Sequence, residues 1–289
     1  MAGDERPVGF IGLGQIGAPM ATRLLGWPGG LVVCDARPEA LEPFVAEGAT
    51  AAATPAEVAA AGATVISVMV RDDDQVRDVV DGESGILRTA APGTVIAVHS
   101  TISAETAVAL AARAAEVGVD VVDAPVSGGF VGAHEGNLAL MVGGDDDAVA
   151  RCQAPFERFA GLVLHFGPVG AGTRAKIARN LISFASFAVV AESQRLAEAA
   201  GISLTRLARV VRHSDAITGG PGAIMLRRDT EPLADDDPLR PIMEHTRSLG
   251  EKDLALALAL ADELDVDVPL TAEAARSLAA GLGVPHPEP

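Results

Sequence analysis

The stretch Gly9-Phe10-Ile11-Gly12-Leu13-Gly14-Gln15-Ile16-Gly17-Ala18-Pro19-Met20 lies almost at the start of the chain and reads as a strand, a glycine turn and a helix start in unbroken succession. The apolar run Val8 to Ile11 suits a buried parallel strand. Gly12 allows the tight turn that follows, Gly14 lets backbone N–H groups approach a pyrophosphate, and Gly17 permits close packing of helix on sheet. Pro19 fits a first helical turn, where an N–H has no partner to lose. Gly12, Leu13, Gly14, Gln15, Ile16 and Gly17 are therefore the candidate contacts of a dinucleotide phosphate. With 31 glycines in 289 residues a lone GxGxxG pattern also arises by chance, so its neighbourhood carries the argument.

The neighbourhood supplies an acidic residue where a ribose would need one. Leu31-Val32-Val33-Cys34 is a second short apolar run, and Asp35 ends it, 18 residues beyond Gly17. A carboxylate there accepts hydrogen bonds from the adenosine ribose and repels a 2′-phosphate, which favours NAD. Arg37, two residues on, could pair with that phosphate, so NADP stays open as the alternative. A plain helix cap is the other reading of Asp35.

Composition narrows the field. The 39 acidic and 22 basic residues give a formal charge of −17, which argues against nucleic acid and anionic membrane as partners. Asp triplets at 72–74, 145–147 and 235–237 read as solvated loops or first helical turns, and the six scattered histidines offer no metal-ligand cluster. Two cysteines, Cys34 and Cys152, cannot form a disulfide framework, so a reducing cytoplasm is expected. No signal-like segment opens the sequence, and no apolar run reaches the ~18 residues of a membrane span.

Up to about residue 167 short β-type runs alternate with Ala-rich helical stretches, which predicts an α/β domain: a Rossmann-type doubly wound parallel sheet over residues 1–167. Strands are expected at 64–70, 94–98, 120–123, 138–142 and 163–166. Beyond the Gly-rich segment 167–172, β-signals vanish and helical periodicity takes over, predicting an all-α domain over 168–289. It should open with a long interdomain helix, Thr173 to Ala200. That helix is apolar on several faces, with Ile177, Leu181, Phe184 and Ala188 in one stripe, and is expected to be buried between neighbours.

Against that apolar background Lys176, Asn180 and Ser183 fall within an arc of roughly 60° on one helix face. A lysine on a helix usually belongs to a solvated face. Partly desolvated, however, its ammonium has a lowered pKa and can exchange protons near neutral pH. A second constellation, Asp123-Ala124-Pro125-Val126-Ser127-Gly128-Gly129, follows an expected strand. Ser127 offers a hydroxyl, and Gly128 and Gly129 leave backbone N–H groups free to face a carboxylate; a tight turn without a ligand is the alternative. Ser100-Thr101 supplies further hydroxyls at a strand end, where an N-cap role is equally open.

Four segments in order, GFIGLGQIGAPMA at 9–21, DAPVSGGFVGAHEGNLALMVGG at 123–144, GAGTRAKIARNLI at 170–182 and KDLALAL at 252–258, give the chain its resemblance to the β-hydroxyacid dehydrogenase family, which includes 3-hydroxyisobutyrate dehydrogenase. The resemblance implies hydride transfer between NAD(P) and a small 3-hydroxy acid or its semialdehyde. It further implies that Lys176 is the general acid/base, that Ser127, Gly128 and Gly129 bind the substrate carboxylate, and that Asn180 helps place the substrate. Met69, Val70, Thr101 and Lys252 become cofactor contacts by the same resemblance, and a homodimer or homotetramer is expected. The chain departs from the family at Val98, Ala104 and Arg179, and Arg179 bears on which acids fit. An aldehyde or imine reductase of the same fold and a non-catalytic dinucleotide-binding module are the alternatives.

Overall fold

Nine short strands and eleven helices make up the structure, a computed structural model that describes residues 6–286. The strands are β1 (Val8–Ile11), β2 (Leu31–Cys34), β3 (Thr50–Ala51), β4 (Val65–Val68), β5 (Val95–Val98), β6 (Asp120–Asp123), β7 (Val126–Ser127), β8 (Leu138–Gly143) and β9 (Ala160–Gly167). Among them run the helices α1 (Gly17–Thr22), α2 (Glu42–Ala46), α3 (Pro55–Ala60), α4 (Asp73–Asp81), α5 (Ala104–Ala115), α6 (Gly129–Glu135) and α7 (Asp146–Phe156). The chain continues as α8 (Ala171–Ala199), α9 (Leu204–Thr218), α10 (Arg240–Glu263) and α11 (Pro269–Leu282).

The sheet runs β3-β2-β1-β4-β5-β6-β8-β7, with β9 paired to the free side of β8. The first six strands are parallel, and the chain reverses its direction of growth between β1 and β4. Alternation of side chains along the strands divides the core. Phe10, Val33, Val65 and Val122 face one layer of helices, and Ile11, Val32, Ile66 and Val121 face the other.

The expected strands are present as β4, β5, β6, β8 and β9, with ends displaced by up to three residues. One expectation needs correction: the sheet is not wholly parallel, because β8 runs antiparallel to β6 and β7. β6 and β7 run in the same direction past Pro125, and the chain reverses only after β7, through α6 and the left-handed Gly136; a connection this short suits antiparallel pairing of β8 with both.

Two of the Asp triplets start helices. Asp72 caps α4 through the Gln75 N–H (3.0 Å), and Asp145 is the N-cap position of α7, with Asp146 and Asp147 in its first turn. The third triplet lies in the turn before α10. Negative charge at such positions complements the helix dipole.

Two compact units result, one ending at Arg179 and the other beginning at Asn180, so the division falls inside α8. Within the second unit the buried Glu192 of α8 accepts hydrogen bonds from the Leu270 and Thr271 N–H groups (2.8 and 3.0 Å), capping α11. The buried apolar cluster of that unit is small: Met243, Leu282 and Val284. The expectation that α8 is buried between neighbours is not met within the single chain. Leu181 and Phe184 are 70 % and 64 % exposed, and Ile177 and Phe187 are exposed as well. An apolar composition identifies surface that is costly to hydrate, but not the body that covers it.

Candidate active site

Strand register brings the candidate residues to one edge of the sheet. Ile11 lies level with Cys34 and Val68, Val68 with Val98, and Val98 with Asp123. The residues that follow are therefore Gly12, Asp35, Met69, His99 and Ala124, side by side at the carboxyl ends of parallel strands. Ligands of open α/β sheets bind at that edge, beside the point where strand order reverses.

Backbone crowding explains the glycine turn. Gly12 has φ +95°, and a Cβ there would stand 2.2 Å from the Met69 carbonyl oxygen. A Cβ on Gly17 would stand 2.0 Å from the Gly12 carbonyl oxygen. No side chain fits at either position. Gly14 is different, because a Cβ there would meet no protein atom within 4 Å and would project into open space. That vacancy of side chain suits the close approach of a phosphate to backbone N–H groups, and the residues present thus fit a dinucleotide.

A cleft of about 1010 Å³ adjoins the turn, lined by Gly12, Gly14, Gln15, Ile16, Gly17 and Asp35, and beyond them by Met69 and Val70. Leu13 is buried beside it, and its N–H donates to Asp35 Oδ2 (2.6 Å). The other Asp35 oxygen accepts the Arg37 N–H (2.9 Å) and lies 3.3 Å from the Arg37 guanidinium. Arg71 and Gln75 also line the cleft, and sequence reading missed both. No sequence motif marks either residue; in the structure Gln75 Oε1 accepts the Arg71 N–H (3.0 Å). Ser100 ties two of the loops together, accepting from the Val70 N–H (2.9 Å) and donating to the Val70 carbonyl (2.7 Å). Thr101, exposed after β5, does not line the cleft.

His99, also missed, is fully buried at the centre of this edge. A carbonyl can only accept, so Nδ1–H donates to Ala124 O (2.8 Å) and Nε2 accepts from the Ser67 hydroxyl (3.0 Å). Burial, only partly offset by the Ala124 bond, pulls its pKa down to about 4 and keeps the ring neutral. Phe10, Phe156 and Phe159 surround it.

The second group of candidates meets at one hydrogen bond. Lys176, in the second turn of α8, is 8 % exposed, and its Nζ donates to the Val126 carbonyl (2.6 Å), one residue before Ser127. The lysine and the Ser127-Gly128-Gly129 turn are thus brought together, although neither lines the dinucleotide cleft. Gly128 and Gly129 have φ of +132° and +62°, conformations in which glycine is the residue of choice. Among the described residues nothing engages the Ser127 hydroxyl, and α6 begins at Gly129 with the unpaired N–H groups of a first helical turn. Burial lowers the Lys176 pKa, and the charge of Arg179 lowers it further. Asn180 follows four residues on along α8, at the first residue of the second unit. Lys252 is exposed on α10 in that unit and pairs with Asp253 (2.9 Å). Only two of the 22 basic residues are lysines, and these are the two.

Comparison with known proteins adds the following. Residues 7–167 match the model of the NAD binding domain of 6-phosphogluconate dehydrogenase, and residues 170–284 match that of the NAD-binding domain of NADP-dependent 3-hydroxyisobutyrate dehydrogenase. An uncharacterized oxidoreductase of Mycobacterium tuberculosis is 57% identical over 288 residues, covering 99% of this chain and 97% of that protein. A crystal structure from Mycobacterium avium 104, provisionally described as an oxidoreductase, superposes with a TM-score of 0.92 at 53% identity, covering 96% of this chain and 99% of the other. The NAD-dependent L-serine dehydrogenase of Pseudomonas aeruginosa is 38% identical over 219 residues, 76% of this chain and 72% of that enzyme.

The Asp35 geometry yields a test. In Asp35→Ser the repulsion of a 2′-phosphate is gone while Arg37 remains. The ratio of NADP to NAD dissociation constants, read by fluorescence titration, is expected to fall by about 10- to 100-fold. An unchanged ratio contradicts the assignment of Asp35 to the ribose.

Proposed function

The chain belongs to the β-hydroxyacid dehydrogenases, NAD(P)-dependent oxidoreductases acting on CH–OH groups, and from that premise we propose that it interconverts a small 3-hydroxy acid and its semialdehyde, with Lys176 as general acid/base. The observation that carries this reading is the 2.6 Å bond from a nearly buried Lys176 to the Val126 carbonyl. It stations the one buried lysine of the chain beside the Ser127–Gly129 turn.

The chemistry follows from that placement. The Ser127 hydroxyl and the N–H groups around Gly128 and Gly129 hold the carboxylate, and so fix the carbon that bears the hydroxyl. A nicotinamide dinucleotide, which the Gly12–Gly17 turn and Asp35 would hold, would supply the hydride chemistry at that carbon. Lys176 takes the hydroxyl proton in one direction and gives it back in the other. The Val126 carbonyl accepts one N–H and so directs the rest of the amine towards the substrate oxygen. Desolvation and the neighbouring Arg179 both disfavour the ammonium, which raises the fraction of neutral amine available as a base. Asn180, one turn further along α8, is assigned to the same substrate, and Lys252 to the cofactor, both from the family motifs. Serine is itself a 3-hydroxy acid, so the relative named for it supports the substrate class. The free cysteines Cys34 and Cys152, both buried, with pKa values pushed by burial to about 11 and about 12, suit a reducing cytoplasm. Among the described residues no helix is long and apolar enough to cross a membrane.

Lys176→Ala is expected to lower kcat by about 10²- to 10⁴-fold with NAD affinity unchanged; full activity with binding intact contradicts the assignment. Arg179→Gln removes a cation beside the lysine and so favours the ammonium. The pH at which the oxidation rate rises should move to the alkaline side, and a shift to the acid side contradicts the assigned electrostatics.

The same reading includes a homodimer or homotetramer. The exposed apolar side chains of α8 and the complete lack of buried residues in α9, where Ile217 is 73 % exposed, support it. A 15-residue helix without packing is marginal in water. Sedimentation velocity is expected to give the mass of two or four chains, and a monomeric mass contradicts it.

A further inference from the structure

Asp123 is wholly buried (0 % exposed) at the end of β6, and the chemistry above makes no use of it. Its two carboxylate oxygens are spoken for. Oδ1 accepts the Gly170 N–H (2.7 Å) and Oδ2 accepts the Thr173 N–H (2.6 Å), amides at the very start of α8. A helix start normally finds an acceptor in its own N-cap side chain. Here the position before α8 is Gly170, which has none, and Asp123 does the same work from 47 residues away.

The fit between the two segments is close. A Cβ on Gly172 would stand 2.2 Å from the Met141 carbonyl oxygen and 2.6 Å from that of Asp123, so the first turn of α8 rests directly on the ends of β8 and β6. One turn further, Lys176 reaches Val126, three residues beyond Asp123 in the same excursion of chain. The helix is therefore gripped twice by the segment 123–126: at its first amides through a carboxylate, and at its lysine through a carbonyl. A single carboxylate can satisfy two N–H donors at once, and its charge suits the positive end of the helix.

We propose that Asp123 is a positioning residue for Lys176, fixing the height and rotation of the first two turns of α8 so that the lysine stays seated, out of water, at the Val126 carbonyl. The proposal rests on the acid/base reading of Lys176 for its effect on turnover. Its effect on the seating of the lysine is independent of that reading.

The isosteric Asp123→Asn tests it. One side-chain oxygen remains as an acceptor, but the amide NH₂ turns a donor against an N–H donor, and the cap is half lost. Gly12, Gly17 and Asp35 hang from other strands, so NAD affinity should be retained. With only two lysines in the chain, reductive ¹³C-methylation of the full-length protein labels two side chains and the terminal amine, and Lys176→Arg identifies the signal that matters. In Asp123→Asn the Lys176 signal is expected to titrate at higher pH than in the parent protein, because the amine is released into water. Arg179 is present in both proteins and cancels, while the lost Asp123 charge acts in the opposite sense and lowers the lysine pKa, so a rise reports release of the amine. kcat is expected to fall by about 10- to 100-fold with little change in substrate KM. An unmoved Lys176 titration overturns the positioning role. A moved titration with parental turnover upholds it and overturns the acid/base reading instead. Should the variant fail to fold, amide hydrogen exchange of the parent protein decides: slow exchange at Gly170 and Thr173 is expected, and exchange at the rate of open loops overturns the cap.

Discussion

The level ends of the parallel strands are the constraint from which the rest of the structure follows. Because Ile11, Cys34, Val68, Val98 and Asp123 are held in register by backbone hydrogen bonds, the residue after each is delivered to one edge. Neighbouring strands lie about 4.8 Å apart, so loops far apart in sequence become neighbours there. At one end of this row the backbone is so crowded that only glycine fits at 12 and 17; at the other the Asp123 carboxylate and the Val126 carbonyl meet the start of α8. The buried, neutral His99 sits between, joining Ser67 of β4 to the Ala124 carbonyl behind β6, and so holds the two ends in fixed relation.

Much of the candidate site could be proposed from the sequence because its demands are demands on residue type. Close approach of backbone to backbone, or of backbone to phosphate, requires glycine, and the positive φ values at 12, 128 and 129 repeat that requirement. Asp35 stood out because an apolar strand ended on a charge. Lys176 stood out because a cation interrupted an apolar helix. What could not be read were features made by register alone. The two-residue β7 has no periodicity to display, and the antiparallel direction of β8 depends on a turn geometry that composition does not specify. His99 is an ordinary residue beside an apolar run until three strands align to give it partners. The coverage of α8 was misjudged for a different reason: an apolar stripe states that water must be excluded, and the single chain leaves Leu181 and Phe184 exposed.

Charge is distributed with the same economy. Arginines carry nearly all the positive charge of this strongly acidic chain, and many are paired at the surface, as Arg37 with Asp35 and Arg113 with Asp81. Arginine keeps its proton throughout the accessible pH range, whereas the lysine ammonium yields it when desolvated. A buried lysine, set at a carbonyl and beside another cation, has the surroundings that the proposed acid/base role requires.

The central claim is that a carboxylate held at Ser127–Gly129 orients a 3-hydroxyl group towards Lys176 and the nicotinamide. It is tested most directly by following NAD(P)H absorbance with purified protein on a panel of small 3-hydroxy acids and their semialdehydes, each paired with an uncharged amide or ester analogue. Turnover of the acids, with kcat/KM lower by about 100-fold or more for the uncharged partners, is the predicted result. Equal rates on both, or turnover of imines and simple aldehydes alone, would contradict the account.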